Sequence, residues 1–174
     1  MIHSIAGKLK NGNLCFERPF RDPHHNASTP SLVGGGRKAK PGEISLAHNG
    51  ILFLDELPEF DRNSLEALRQ PLENGYISIS RVNSHAIYPA NFQLVAAMNP
   101  CRCGHLGTPE LHCTRAPKCA IEYQSKLSGP LLDRIDMHIE VPAVSPWKMS
   151  EGKSGESSTI IRERVIAARN IQKE

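Results

Sequence analysis

An α/β fold with parallel strands is what this sequence predicts, on three observations. Ile51-Leu52-Phe53-Leu54 is an unbroken apolar run ending in Asp55-Glu56, the pattern of a strand buried in a parallel sheet with acids at its carboxyl end. Residues 92–97 form a second such run, closed by Asn99-Pro100. Between them Leu65, Leu68 and Leu72 recur at helical spacing.

The elements follow in chain order. Residues 1–18 read as the end of a helix (Ile2, Ile5, Leu9), a turn at Asn11-Gly12-Asn13 and a short apolar-polar stretch. Residues 19–42 are rich in turn formers and carry two clusters, Arg21-Asp22-Pro23-His24-His25 and Gly34-Gly35-Gly36-Arg37. Ser45 to His48 reads as a helical turn, broken at Asn49-Gly50. After the run at 51–54, Asp61 is placed to cap the leucine-bearing helix, which Asn74-Gly75 ends. Residues 76–80 alternate as a half-exposed strand and residues 85–90 return, with 81–84 as the hairpin tip. Residues 101–120 hold four cysteines and little periodicity. Residues 123–133 read as helix interrupted at Gly129-Pro130, and residues 137–141 as a strand. A Pro-, Gly- and Ser-rich linker leads to an amphipathic helix from Ser158 with Ile161, Val165, Ala168 and Ile171 on one side. The expected division is 1–142 for the core, 143–157 for the linker and 158–174 for the last helix.

Composition narrows the class. The 174 residues suit one ordinary domain, or a domain plus a helical appendage, and 39% hydrophobic with 22% charged residues is globular. No apolar run approaches the ~20 residues of a membrane span. Met1-Ile2-His3-Ser4 opens no signal peptide, since no basic stretch precedes an apolar one. The net charge of +3 is compatible with a nucleic-acid groove without arguing for one. Five cysteines, an odd number with no export signal, speak against a disulfide framework and for a reducing, cytoplasmic location.

Two constellations carry chemistry. The first is the strand ending in Asp55-Glu56, the layout of a Walker B element. An aspartate at the carboxyl end of a buried parallel strand can hold Mg²⁺, and a following glutamate can activate water against a γ-phosphate. By itself the pattern fits equally a strand that ends at a charged surface. The second is Cys101-x-Cys103, nine intervening residues, Cys113, five intervening residues, Cys119. Four thiolates can close a tetrahedral Zn²⁺ site, with His105 and His112 as spare ligands. Four free cytosolic thiols is the alternative.

Residues 42–57, with Leu68-Arg69-Gln70-Pro71-Leu72-Glu73, residues 94–100 and residues 128–136, resemble the magnesium-chelatase branch of the AAA+ ATPases. Arg18-Pro19-Phe20-Arg21, Pro23-His24-His25 and the cysteines directly after Asn99-Pro100 are similar to its ComM (YifB-type) subgroup. The likeness runs from about residue 2 to residue 172. It implies a partial AAA+, P-loop-NTPase-like core with a β-hairpin insertion and the start of a helical lid at 158–174. It implies Asp55 and Glu56 as the Walker B pair for Mg²⁺-ATP and Asn99 as sensor 1. Arg134 becomes the arginine finger reaching a neighbouring subunit, and residues 76–90 a channel-lining hairpin with Arg81 near its tip for nucleic acid. Each has a plainer reading: a turn-forming Asn99, an Arg134 paired with Asp133 or Asp136, a solvated Arg81. The Gly34-Gly35-Gly36-Arg37 segment falls at a second channel element and is not read as a nucleotide loop. His24 and His25 could be ligands or catalysts, and are read in preference as packing or turn residues.

No Walker A loop, Gly-x-x-x-x-Gly-Lys-Ser/Thr, precedes the Walker B strand. The expectation is therefore a fragment of a DNA-acting ring motor of hexamer type. Its first strand and phosphate loop would come from a complementary upstream segment, and it would not hydrolyse ATP alone. The competing expectations are a zinc-stabilised module binding nucleic acid or protein without turnover, and a remnant with no function of its own.

Overall fold

A computed structural model of the chain describes residues 2–7, 9, 16–36, 39–81, 84–106, 113–142 and 155–173. Cys15, the 11–13 turn, Arg37, His112 and residues 143–154 of the expected linker lie outside the described residues. The chain divides into two units, 1–138 and 139–174.

In the first unit a short helix, α1 (Ile2–Ile5), precedes β1 (Phe20–Arg21) and α2 (Thr29–Val33). A two-residue ribbon, β2 (Gly34–Gly35) against β3 (Lys40–Pro41), then leads to α3 (Glu43–Leu46) and β4 (Ile51–Leu54). β4 is central in a three-stranded parallel sheet of order β1-β4-β7, where β7 is Gln93–Ala96. Phe20 pairs with Ile51, and Leu52 with Leu94. The α/β class and a strand at Ile51–Leu54 follow the sequence expectation. The two-residue β1 does not, because it sits among prolines. Gly50 admits it: a side-chain carbon there would overlap the Pro19 carbonyl, which accepts from Ile51 N at 2.9 Å.

Alternation along β4 turns Leu52 and Leu54, both 0% exposed, into the main core with Ile44, Leu65, Leu68 and Ile77. The opposite face is open: Phe20 stacks on Phe53 at 6.2 Å between ring centroids, and Val95 is exposed. The second apolar run, expected to be buried, is therefore a half-exposed strand. Among the described residues β7 pairs with a strand on one side only, and its odd-numbered residues face outward.

Asp61 caps α4 (Arg62–Glu66), its carboxylate accepting from Asn63 N at 3.0 Å and Ser64 N at 3.3 Å. The expected single helix is split into α4 and α5 (Arg69–Asn74). Pro71 offers no N–H and its ring crowds the carbonyl four residues back. Gly75 ends α5 in the left-handed region, φ 71°, its N–H reaching Pro71 O at 2.9 Å. The hairpin β5 (Tyr76–Arg81) and β6 (Ser84–Pro89) follows the predicted strands. Register runs from Tyr76–Pro89 to Arg81–Ser84, and tip residues 82–83 lie outside the described residues. Ile77 and Ile79 pack one face of it on the core, and Tyr88 OH donates to Ala39 O at 2.8 Å.

After β7 come α6 (Lys118–Gln124) and α7 (Gly129–Leu132). α6 starts inside the cysteine-bearing segment, earlier than the expected helix from Tyr123. Residues 137–141 are not a strand: no described strand lies beside them to complete a ladder, and Met137 is 74% exposed. In the second unit α8 (Ser158–Ile171) is capped by Ser157, whose Oγ accepts from Ile160 N, and Arg164 pairs with Glu156 at 2.7 Å. No described helix is long and apolar enough to cross a membrane.

Candidate functional site

The carboxyl ends of β4 and β7 deliver the candidate ATP-handling residues to one edge of the sheet. Parallel pairing makes both strands exit on the same side. Beyond the strands the pairing continues, with Ala97 N on Leu54 O at 2.9 Å and Leu57 N on Ala97 O at 3.0 Å. Asp55, Glu56 and Asn99 are therefore brought to the same end of the sheet, and all three are exposed.

The acid pair is built by a sharp turn. Glu56 has φ 52° and ψ 45°, a left-handed conformation that is uncommon without glycine. Asp55 Oδ1 accepts from Glu56 N at 2.8 Å, which fixes the aspartate against the turn. A carboxylate oriented at the mouth of a parallel sheet fits a hard divalent cation. His25 Nδ1 lies 3.0 Å from Glu56 Oε2, and the His25 ring contacts His24 at 4.1 Å and the edge of Phe60 at 6.4 Å between centroids. The sequence favours packing or a turn for His25 over a ligand or catalytic role. The missed signal is positional: His25 lies four residues beyond β1, β4's parallel neighbour, so its loop emerges at the same end of the sheet.

α6 closes this region. Tyr123 is buried, and its phenol is pushed up by burial and then by the carboxylates of Glu59, Glu56 and Asp55. Lys126 Nζ sits 3.3 Å from Glu59 and 5.6 Å over the Tyr123 ring. Gln124 Nε2 donates to Pro100 O at 2.9 Å, next to Asn99.

Arg134 is held elsewhere in the first unit. Its Nη1 donates to Pro130 O at 2.5 Å and its Nη2 to Glu73 Oε2 at 2.8 Å. The acid partner is thus Glu73 of α5, not Asp133 or Asp136. Among the described residues Arg134 shares no hydrogen bond with Asp55, Glu56 or Asn99. The backbone of Arg81 ends β5 next to the hairpin tip.

The four cysteines converge. The Sγ atoms of Cys101, Cys103, Cys113 and Cys119 all lie within 4.8 Å of one another, and Cys101 and Cys103 are 3.3 Å apart. Zn–S bonds of about 2.3 Å in a tetrahedron put sulfurs about 3.8 Å apart, so the donor set fits a closed thiolate site. No disulfide joins them. Cys101 and Cys119 are buried with Ala120 in a small second core against Leu106. Burial pushes the Cys101 thiol up, but hydrogen bonds from the Cys103 thiol and from backbone N–H groups of Leu106, Cys103 and Gly104 outweigh it. The net is a fall to about 7. Cys103 receives a backbone hydrogen bond from His105, yet the neighbouring thiols and burial drive it up to about 11. One thiolate is favoured and the next is opposed, a charge balance that a bound dication would relieve.

Against known proteins, the family model for magnesium chelatase, subunit ChlI, matches residues 1–149. The chain is 56% identical over 175 residues to the competence protein ComM of Haemophilus influenzae, covering 99% of this chain and 34% of that protein. It is 54% identical over 157 residues to the uncharacterized protein YifB of Salmonella typhimurium, covering 90% and 31%. A magnesium-chelatase subunit ChlI of Bigelowiella natans is more distant, 24% identical over 114 residues. The chain spans about a third of the length of the ComM and YifB relatives it matches. With an α/β parallel core, a family match over most of its length and high identity to these relatives, the chain belongs to the magnesium-chelatase family of AAA+ proteins, among its ComM- and YifB-type members.

Proposed function

We propose that this chain carries the Walker B, sensor and finger portion of an ATP-driven ring motor that acts on DNA. One observation carries the reading: an acid pair and an asparagine leave adjacent parallel strands at the same sheet edge. Asp55 would hold Mg²⁺, which neutralises charge on the transferring phosphoryl group. Glu56 would orient and deprotonate the attacking water, and Asn99 would help place it. Arg134 would serve the site of a neighbouring subunit in a homo-oligomeric, hexamer-type ring. Arg81 at the hairpin tip would follow the DNA backbone by charge. The sequence holds no Walker A loop, so turnover needs a segment that supplies one. Cys101, Cys103, Cys113 and Cys119 would hold Zn²⁺ as a structural cross-link, and reduced, clustered thiols suit the cytoplasm. The test mixes the chain with a Walker A-bearing segment of the same family. DNA-stimulated ATP hydrolysis by the mixture, absent from either part, supports the reading.

A second reading rests on the cysteine cluster: a zinc-stabilised module that binds nucleic acid or protein without turnover. DNA binding that persists in full while the mixture never hydrolyses ATP would favour it.

A further inference from the structure

We infer that Glu73 is the positioning residue for Arg134, tying that arginine to the root of the β5–β6 hairpin. The inference rests on the finger reading of Arg134.

The geometry is specific. Arg134 follows α7, and its guanidinium is gripped at both terminal nitrogens, by Pro130 O in the first turn of α7 and by Glu73 Oε2. Its side chain is 25% exposed, and Nε is buried with no hydrogen-bond partner among the described residues. This guanidinium is therefore lodged against protein, unlike a free surface arginine. A fork held at two points keeps one plane, which suits a group that must meet phosphate oxygens in a fixed orientation.

Glu73 stands where a carboxylate is locally unfavourable. It lies in the last turn of α5, at the negative end of the helix dipole. Arg134 offsets that cost, and holds the Glu73 carboxyl below the usual glutamate range. Because the Glu73 side chain is 58% exposed, the pair is a poor stabilising device, and its value lies in placement.

The same helix end carries the hairpin. Gly75 N bonds to Pro71 O, and Ala90 N bonds to Gly75 O at 2.7 Å, so both strands of the hairpin meet the C-terminus of α5. Glu73 lies two residues before Gly75. A displacement of the hairpin by a bound strand would reach Arg134 through one helix end and one ion pair.

The experiment has two arms. In the chain itself, the Glu73 side-chain carboxyl is titrated by carbon NMR. It is expected below the ordinary value of about 4.3 and to return to it in Arg134→Gln. In the mixture with a Walker A-bearing segment, Arg134→Ala is expected to lose on the order of 10³ in turnover. Glu73→Gln is expected to lose on the order of ten- to a hundred-fold in kcat with KM for ATP unchanged, and Glu73→Asp to recover part of it. An ordinary Glu73 titration in the parent, or Glu73→Gln turning over like the parent while Arg134→Ala fails, overturns the inference and leaves the finger standing. Arg134→Ala turning over like the parent overturns the finger reading itself.

Discussion

His25 Nδ1 stands 3.0 Å from Glu56 Oε2, and the two belong to loops that follow neighbouring parallel strands. Both side chains are solvent-accessible, so the contact contributes little to stability. The left-handed backbone at Glu56 costs about 1–3 kcal/mol, which an exposed pair of this kind does not offset. His25→Ala is therefore expected to change unfolding free energy by less than about 1 kcal/mol, yet to slow ATP turnover in the reconstituted mixture. Equilibrium denaturation and a turnover assay on the same preparation check it. A large loss of stability would make His25 a packing residue.

The Glu73–Arg134 pair sets a pH dependence. A carboxyl held below its usual value stabilises the fold above the unfolded glutamate value of about 4.3, and that contribution disappears as pH falls through the lower, folded value. Because the pair is exposed, Glu73→Gln should melt only slightly below the parent at neutral pH and converge with it in strong acid. Thermal melts across that range give the answer. A constant gap at all pH values would show that the pair's charge is not the cause.

The cysteine cluster predicts metal. Protein purified from zinc-supplemented medium should carry about one equivalent. Cys101→Ser or Cys119→Ser should lower metal content and the melting temperature, since both sulfurs lie in the small second core. Binding should release protons and weaken as pH falls below the Cys101 value of about 7, because protons then compete for the sulfurs. Metal analysis and a proton-release titration measure this. A metal-free protein of equal stability would leave four free thiols.

Arg81 and Arg134 should separate by role. In the reconstituted mixture Arg81→Ala should weaken single-stranded DNA binding and flatten its salt dependence by about one phosphate, with ATP binding kept. Arg134→Ala should keep DNA binding and depress hydrolysis. Salt titrations of both variants distinguish them.

Much of the frame was legible because it is local. Four apolar residues before Asp55 mark a central strand, Asp61 announces a helix start, and Gly75 supplies the left-handed stop. What escaped was set by distant partners. Phe20–Arg21 is a strand only because Gly50 lets it lie against Ile51. The burial of residues 92–97 and the strand at 137–141 were misread because apolar sequence does not say whether a neighbouring strand is present. Asp55, Glu56 and Asn99 could be singled out from motifs, and the parallel pairing of their strands brings them to one end of the sheet. His25 and Glu73 could not, since each gains its partner only when segments 31 and 61 residues apart in sequence meet.

The most direct test of the ATPase reading is Glu56→Gln in the mixture with a Walker A-bearing segment, assayed for nucleotide binding and for turnover. The parent mixture is expected to hydrolyse ATP, and the variant to bind Mg²⁺-ATP as the parent does while its turnover falls by at least about a hundred-fold. Hydrolysis by the Glu56→Gln mixture at the parent rate, or robust hydrolysis by the 174-residue chain alone, would contradict it.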